Sequence, residues 1–431
     1  MTAYTTFCLL AFSAMIIALV SSKIIKLQST ITITASALMI SLTIVLLGQF
    51  DIFSLQEIAA QVVAQMSFSN FLLDGVLGFL LFAGGLFVKL GQFKDQKWEI
   101  ATLTAVGTLL STLIVGYGLY YFLQAIDIPF DLIHCFLFGA LISPTDPIAV
   151  LAIVKKLHAP TRISTQIEGE SLFNDGFGFV LFVTLSAFAF SDVEPTALDV
   201  AQLFAVEALG GITYGFFLGL LFHLLISSTN DHSLELMLTL AIPTAGYVCT
   251  EFFHVSGPLA MVVSGIIIGN WTRKTGFSED SKQHLDRFWE VVDEFLNGVL
   301  FLMIGLTLLL FDIREKELLP ALFAIPLVLC ARYISIKVSY LFFKPFRQYN
   351  PMSVRILWWG GLRGGLALAL ALTIPTGYPI DALDNLEVRD FIVVMTFAVV
   401  MFSILVQGST ITPMIKKATT IQQRYENKSD S

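Results

Sequence analysis

The chain has 431 residues, of which 56% are hydrophobic and only 13% charged, with a formal charge of −8 and a mean hydropathy of +0.79. No soluble core needs that much apolar surface, so the composition excludes a soluble globular protein and predicts an all-α polytopic membrane protein. The negative charge gathers in the loops of one face and gives no footprint for nucleic acid.

A bilayer core of roughly 30 Å takes about 20 apolar residues as a helix. The sequence breaks into about 13 such runs, near 7–24, 29–48, 70–90, 98–123, 130–155, 164–190, 198–228, 232–252, 257–272, 284–311, 318–343, 352–374 and 389–415. Lys and Arg should accumulate in every second loop, on the cytoplasmic side. One set of loops holds Lys23 and Lys26; Lys89, Lys94 and Lys97; Lys155, Lys156 and Arg162; Arg273, Lys274, Lys282 and Arg287; Lys344, Arg347 and Arg355; and the tail with Lys416, Lys417, Arg424 and Lys428. The alternate set holds Arg314, Lys316 and Arg389 but is otherwise acidic, with Asp51, Glu57, Asp127, Asp131, Asp192, Glu194, Asp199, Asp381, Asp384 and Glu387. This alternation predicts a cytoplasmic C-terminus and, with an odd helix count, an N-terminus outside a bacterial inner (plasma) membrane. The first run lacks a basic start and a small-residue cleavage site, so it reads as a retained helix. Cys8, Cys135, Cys249 and Cys330 lie in apolar runs without paired spacing and read as small hydrophobes.

In the third run, Gly75, Gly78, Gly84 and Gly85 would let another backbone approach closely, and Asp74 reads as an interfacial residue. The fifth run is interrupted by Pro144 and Pro147, which bracket Thr145 and Asp146. Each proline removes a backbone donor and clashes with the preceding turn, so the helix should unwind there, roughly 21 Å into the membrane. Backbone freed at that depth is tolerated only against protein or a water-filled cavity, and Asp146 is expected to satisfy some of it.

The sixth run opens with Thr165-Gln-Ile-Glu168, which reads as a capping box. Asp175 follows, roughly 15 Å in. Ser171 and Asp175 are i, i+4 neighbours, as are Glu170 and Asn174, so a ligand face lies beside a structural face. Asp293, Glu294 and Asn297, near the start of the tenth run, read either as an acidic cytoplasmic funnel or as an ordinary solvated helix end. Arg363, within Gly360-Gly-Leu-Arg-Gly-Gly365, stands near the middle of the twelfth run. An Arg at that depth needs a buried acid, and Glu170 is the predicted partner. His134, His223 and His254 read as packed residues.

Interruptions in the fifth and twelfth helices suggest two related halves of opposite topology, with a site at their interface. A small hard cation must exchange its hydration shell for oxygens. Asp175, Ser171 and the Thr145 carbonyl supply such a set if helices five and six pack side by side. A carboxylate at membrane depth loses the hydration of its charged form, so a proton competes with the cation for Asp175. That competition is sufficient for exchange.

Ser143-Pro-Thr-Asp-Pro147, Glu170-Ser-Leu-Phe-Asn-Asp175, Gly361-Leu-Arg-Gly364 and Val406-Gln-Gly-Ser-Thr-Ile-Thr-Pro413 closely resemble the monovalent cation:proton antiporter family, which includes NhaP-type bacterial antiporters and eukaryotic sodium/proton exchangers. The likeness runs from about Asn70 to Lys417. It implies the NhaA-like antiporter fold, with inverted repeats and unwound crossing helices. By this resemblance Asp175 binds cation and proton, with Ser171 and the main chain of Thr145 as further ligands of the transported Na⁺. Asp146 and Asn174 would bind backbone at the crossing, and Glu170 would pair with Arg363. The resemblance also implies a homodimer in which a core bundle moves against a dimerisation domain.

On this reading residues 1–97 and 229–315 form the dimerisation scaffold, 98–190 and 316–417 the two halves of the core, 191–228 a linking helix and 418–431 a short cytoplasmic tail. Asn174, where related antiporters carry a second Asp, goes with electroneutral exchange of one cation for one proton. Ala83 departs from the family pattern, standing where many members have a glutamate.

The expected function is therefore Na⁺/H⁺ antiport, with Li⁺ or K⁺ as alternative cations, no enzymatic activity and no cofactor. Two other classes carry distinct expectations. An intramembrane aspartyl hydrolase would use Asp146 and Asp175 as a pair, and a cation channel or uniporter would need a continuous path.

Overall fold

The structure, a computed structural model, describes residues 3–429 except 22, 24–28, 49–66, 158, 192–195, 311–313, 344–346, 348, 381–382 and 384. Of the loop charges counted above, Lys26, Asp51, Glu57, Asp192, Glu194, Lys344, Asp381 and Asp384 lie outside the described residues.

Each apolar run becomes a helix or a helix pair. The first half of the chain contributes Ala3–Val20, Ser29–Gly48, Phe68–Phe87, Lys97–Ala125, the pair Leu132–Ile142 and Ile148–Lys156, and Thr161–Ala189. The second contributes Ala197–Ser227, His232–Phe253, Gly257–Ile267 continued to Thr275, Glu279–Leu306, Glu315–Phe343, the pair Ser353–Gly360 and Gly365–Leu372, and Val388–Thr410. Thr412–Ser429 follows as a polar tail helix, and a short hairpin pairs Pro379–Ile380 with Leu386–Glu387. Eight of the described helices are long and apolar enough to span a bilayer unaided. Shorter apolar helices are Tyr4–Val20, Thr30–Val45 and Leu132–Ile142.

The helices pack in two groups. Lys97–Ala125 lies against Leu132–Ile142, Thr161–Ala189 and Glu315–Phe343, which also packs on Val388–Phe402. In the other group Gly257–Ile267 packs on both Leu77–Phe87 and Ala197–Ser227, and Ser29–Gly48 on Glu279–Leu306. Small residues make the closest approaches possible: a Cβ on Gly85 would stand 2.5 Å from the Val262 carbonyl oxygen, and one on Gly139 2.6 Å from that of Thr112. Of the third-helix glycines, Gly78 and Gly85 are used in this way, whereas nothing approaches Gly75 within 4 Å. Asp74 is exposed, and Ala83 is buried in the main apolar core.

Thr161–Ala189 begins earlier than its motif suggested. The helix starts after Pro160, and the Thr165 hydroxyl donates to the Thr161 carbonyl at 2.9 Å, so Thr165 and Glu168 form no capping box. Pro160 preset the start five residues upstream, because its fixed φ suits a helix entry. His134 and His223 are buried, the latter 3.2 Å from the Thr272 hydroxyl, whereas His254 is exposed and not packed, because it ends its helix in a left-handed conformation.

Candidate cation and proton site

The two interrupted helices meet at their breaks. The first stops at Ile142 and resumes at Ile148; the second stops at Gly360 and resumes at Gly365. Between these ends the Asp146 N–H donates to the Leu362 carbonyl at 2.8 Å, one antiparallel bridge joining two stretches of extended chain inside a helical protein. Half-helix ends converge here, and each carries a partial charge from its unpaired backbone groups. Opposite side-chain charges answer them. The Asp146 carboxylate accepts the Ile148 N–H at 3.0 Å, at the start of one resumed helix. It also lies against Gly364, just before the other. A Cβ there would fall 2.7 Å from the Asp146 Cβ and closer still to its Oδ2.

Arg363 serves the C-terminal end. Its Nη1 donates to the carbonyls of Ser143 and, at 2.9 Å, Pro144, while its backbone N–H donates to the Ser403 hydroxyl at 2.8 Å. Arg363 therefore neutralises the negative end of Leu132–Ile142, and it does not pair with Glu170 as the sequence suggested. Glu170 is taken by Arg332 on Glu315–Phe343. Arg332 Nη1 donates to Glu170 Oε1 and Nη2 to Oε2 at 2.8 Å, a two-pronged bond within the buried interior. Arg332 Nη2 also donates to the Leu357 carbonyl at 3.2 Å. The sequence signal for Arg332 was present, as a lone guanidinium in the apolar run Leu327 to Ile334.

Asn174 fastens the sixth helix to the first break. Its Oδ1 accepts the Thr145 N–H at 3.2 Å, and its Nδ2 donates to the Thr145 hydroxyl at 3.0 Å and to Glu170 Oε1 at 3.5 Å. The Thr145 and Ser171 hydroxyls are 3.0 Å apart. Thus Thr145, Ser171 and Asn174 form one oxygen-rich cluster, and it is buried.

Asp175 stands one turn beyond Ser171 and differs from all of these. Its side chain is partly exposed, and no hydrogen bond reaches its carboxylate among the described residues. It lies close enough to Asp146 for the two charges to interact, and Asp146 is in turn within the electrostatic reach of Asp293. Asp293 is half-buried, Glu294 exposed and Asn297 buried. The arrangement is a frame, held by Asp146, Asn174, Arg332 and Arg363, beside one carboxylate that no protein donor reaches among the described residues.

The chain has relatives among known proteins. The family described as sodium/hydrogen exchanger, transmembrane, matches residues 11–417. The Na⁺/H⁺ antiporter NhaP of Pseudomonas aeruginosa is 39% identical over 402 residues, 92% of this chain and 93% of that protein. The Na⁺/H⁺ antiporter NhaH of Halobacillus aidingensis is 32% identical over 416 residues, covering 95% and 96%. Among solved structures, the sodium proton antiporter MjNhaP1 from Methanocaldococcus jannaschii superposes with a TM-score of 0.73 at 18% identity, over 97% of this chain and 98% of that one. The chain is a multi-pass membrane protein that belongs to the sodium/hydrogen exchanger family.

Proposed function

We propose that this protein is a secondary active antiporter that exchanges Na⁺ for H⁺ at Asp175. The observation that carries the reading is the contrast between Asp175, partly exposed and unbonded among the described residues, and the hydrogen-bonded Asp146, Glu170 and Asn174 around it. A carboxylate with no protein donor is available to a proton or a cation. Na⁺ would gain Asp175, the Ser171 hydroxyl and the Thr145 main chain, with waters completing its shell. Binding a proton removes the charge that attracts the cation, so each ligand excludes the other. One carboxylate carries one proton or one Na⁺, which gives electroneutral one-for-one exchange.

Alternating access on this account moves the core, residues 98–190 and 316–417, against the scaffold in a homodimer. The basic loops are cytoplasmic, the membrane is a bacterial inner membrane, and Asp293 with Glu294 draws cations towards the site. Li⁺ and K⁺ are the alternative cargoes, separated from Na⁺ by the same transport assay. The hydrolase reading loses support from Asp146, whose carboxylate is committed to the Ile148 amide and packed on Gly364. A channel would conduct without coupling to a proton gradient.

Replacing Asp175 by Asn keeps the shape and removes the charge. Asp175→Asn is expected to abolish Na⁺-driven proton movement in proteoliposomes while the purified protein keeps its melting behaviour. Retained exchange in that variant would reject Asp175 as the carrier.

A further inference from the structure

Behind the crossing, between Glu315–Phe343, Ser353–Gly360 and Val388–Phe402, is a small cavity. Its volume is about 10 Å³, and Arg332, Trp358, Gly361, Arg363, Val399 and Gln407 lie on its wall. That is room for one water-sized occupant, and such a space is filled when it offers two or more polar partners. Here two donors wait unused. Arg332 Nε and Arg363 Nη2 are both buried and lack a hydrogen-bond partner among the described residues, on side chains whose residues are 5% and 2% exposed. The remaining bonds of each guanidinium are those that frame the site: Arg332 to Glu170 and Leu357, Arg363 to Ser143 and Pro144.

Charge points the same way. Arg332 faces one carboxylate, Glu170, while Arg363 faces only the carbonyls at a helix end, so the wall of the cavity carries an excess of positive charge. Buried polar groups are satisfied in nearly all proteins, and a charged donor left without an acceptor is the costliest exception. Gly361 keeps the place open, since a Cβ on it would stand 2.6 Å from Arg332 Nε. Gln407 spends its amide nitrogen on the Trp359 carbonyl at 3.0 Å, which leaves its oxygen to accept a hydrogen from an occupant that has one.

We propose that this cavity holds a single small hydrogen-bond acceptor, a water molecule or a halide ion, that bridges Arg332 Nε and Arg363 Nη2. The occupant joins the arginine that holds the sixth helix through Glu170 to the arginine that holds the first break. Both arms of the frame then behave as one unit. The inference is independent of which cation Asp175 carries.

Crystal structures of the wild-type protein grown in chloride and in bromide, at a resolution that reveals ordered water, decide it. The expected result is a density peak within hydrogen-bond distance of both guanidinium nitrogens in each medium. An anomalous bromide signal at the peak identifies a halide; an equal peak with no anomalous signal identifies water. An empty cavity, or a peak bonded to only one of the two arginines, would overturn the proposal. Gly361→Ala supplies a second reading, with loss of the peak expected because the added methyl group displaces Arg332; a peak kept on both arginines in that variant would count against the role given to Gly361.

Discussion

At the scale of single residues, the proposed site divides its charges between structure and cargo. Asp175 is the group without a protein donor among the described residues, while Glu170 is sealed against Arg332. A buried pair is costly to break because the survivor keeps its charge without its partner, about 3–5 kcal/mol. Arg332→Ala and Glu170→Gln are therefore each expected to lower the melting temperature sharply. Glu170→Gln combined with Arg332→Met removes both charges and should restore part of the loss, as measured by thermal melting of the detergent-purified protein. A double variant no more stable than either single variant would contradict this account of the pair.

The sequence identified the acid of this pair but assigned it the wrong base. Arg363 stands among glycines in a recognisable motif, whereas Arg332 has no motif around it. The pairing depends on how Glu315–Phe343 is rotated against Thr161–Ala189, and that rotation is a property of tertiary packing. No local spacing encodes it.

At the scale of elements, the central feature is the crossing of two interrupted helices. Pro144 and Pro147 made the first break legible, because each forbids a helical bond at a known place. The second break contains no proline and was marked by its flanking glycines. What the sequence left open was how the two breaks meet, including the bond from Asp146 to Leu362. Gly364 is needed where the Asp146 carboxylate comes down on the chain. Gly364→Ala must push that carboxylate from the half-helix ends it serves, so it is expected to reduce exchange at least tenfold and to lower the melting temperature. A variant with wild-type transport would show that the contact is dispensable. Gly75→Ala is the matched control, since its Cβ would meet nothing within 4 Å.

For the whole molecule, the apolar runs set the helix count and the alternation of basic and acidic loops agreed with it, and the same thirteen runs appear as helices or helix pairs among the described residues. Charge also ties distant segments together at the basic end. Glu99, buried at the start of Lys97–Ala125, accepts from Arg347 Nη1 at 2.7 Å and from the Tyr349 hydroxyl at 3.2 Å, with Arg162 3.7 Å away. Arg347 also donates to the Asp95 carbonyl. The bonds to Glu99 join elements from both sequence halves of the proposed core, which on the proposed mechanism moves as one body. Hydrogen bonds to a charged group are worth about 1.5–3 kcal/mol each, and the exposure of Arg347 places this one towards the lower figure. Glu99→Ala is expected to lower the melting temperature and to slow exchange without altering which cation is carried. An unchanged melting temperature would remove the network from the account.

The central claim is that one carboxylate alternates between one proton and one sodium ion. It is tested most directly by adding Na⁺ to sealed proteoliposomes that carry a pH gradient while proton movement and membrane potential are recorded together. Na⁺-dependent collapse of the gradient with no potential generated is the expected result. A potential that builds during exchange, or proton movement indifferent to Na⁺, would contradict it.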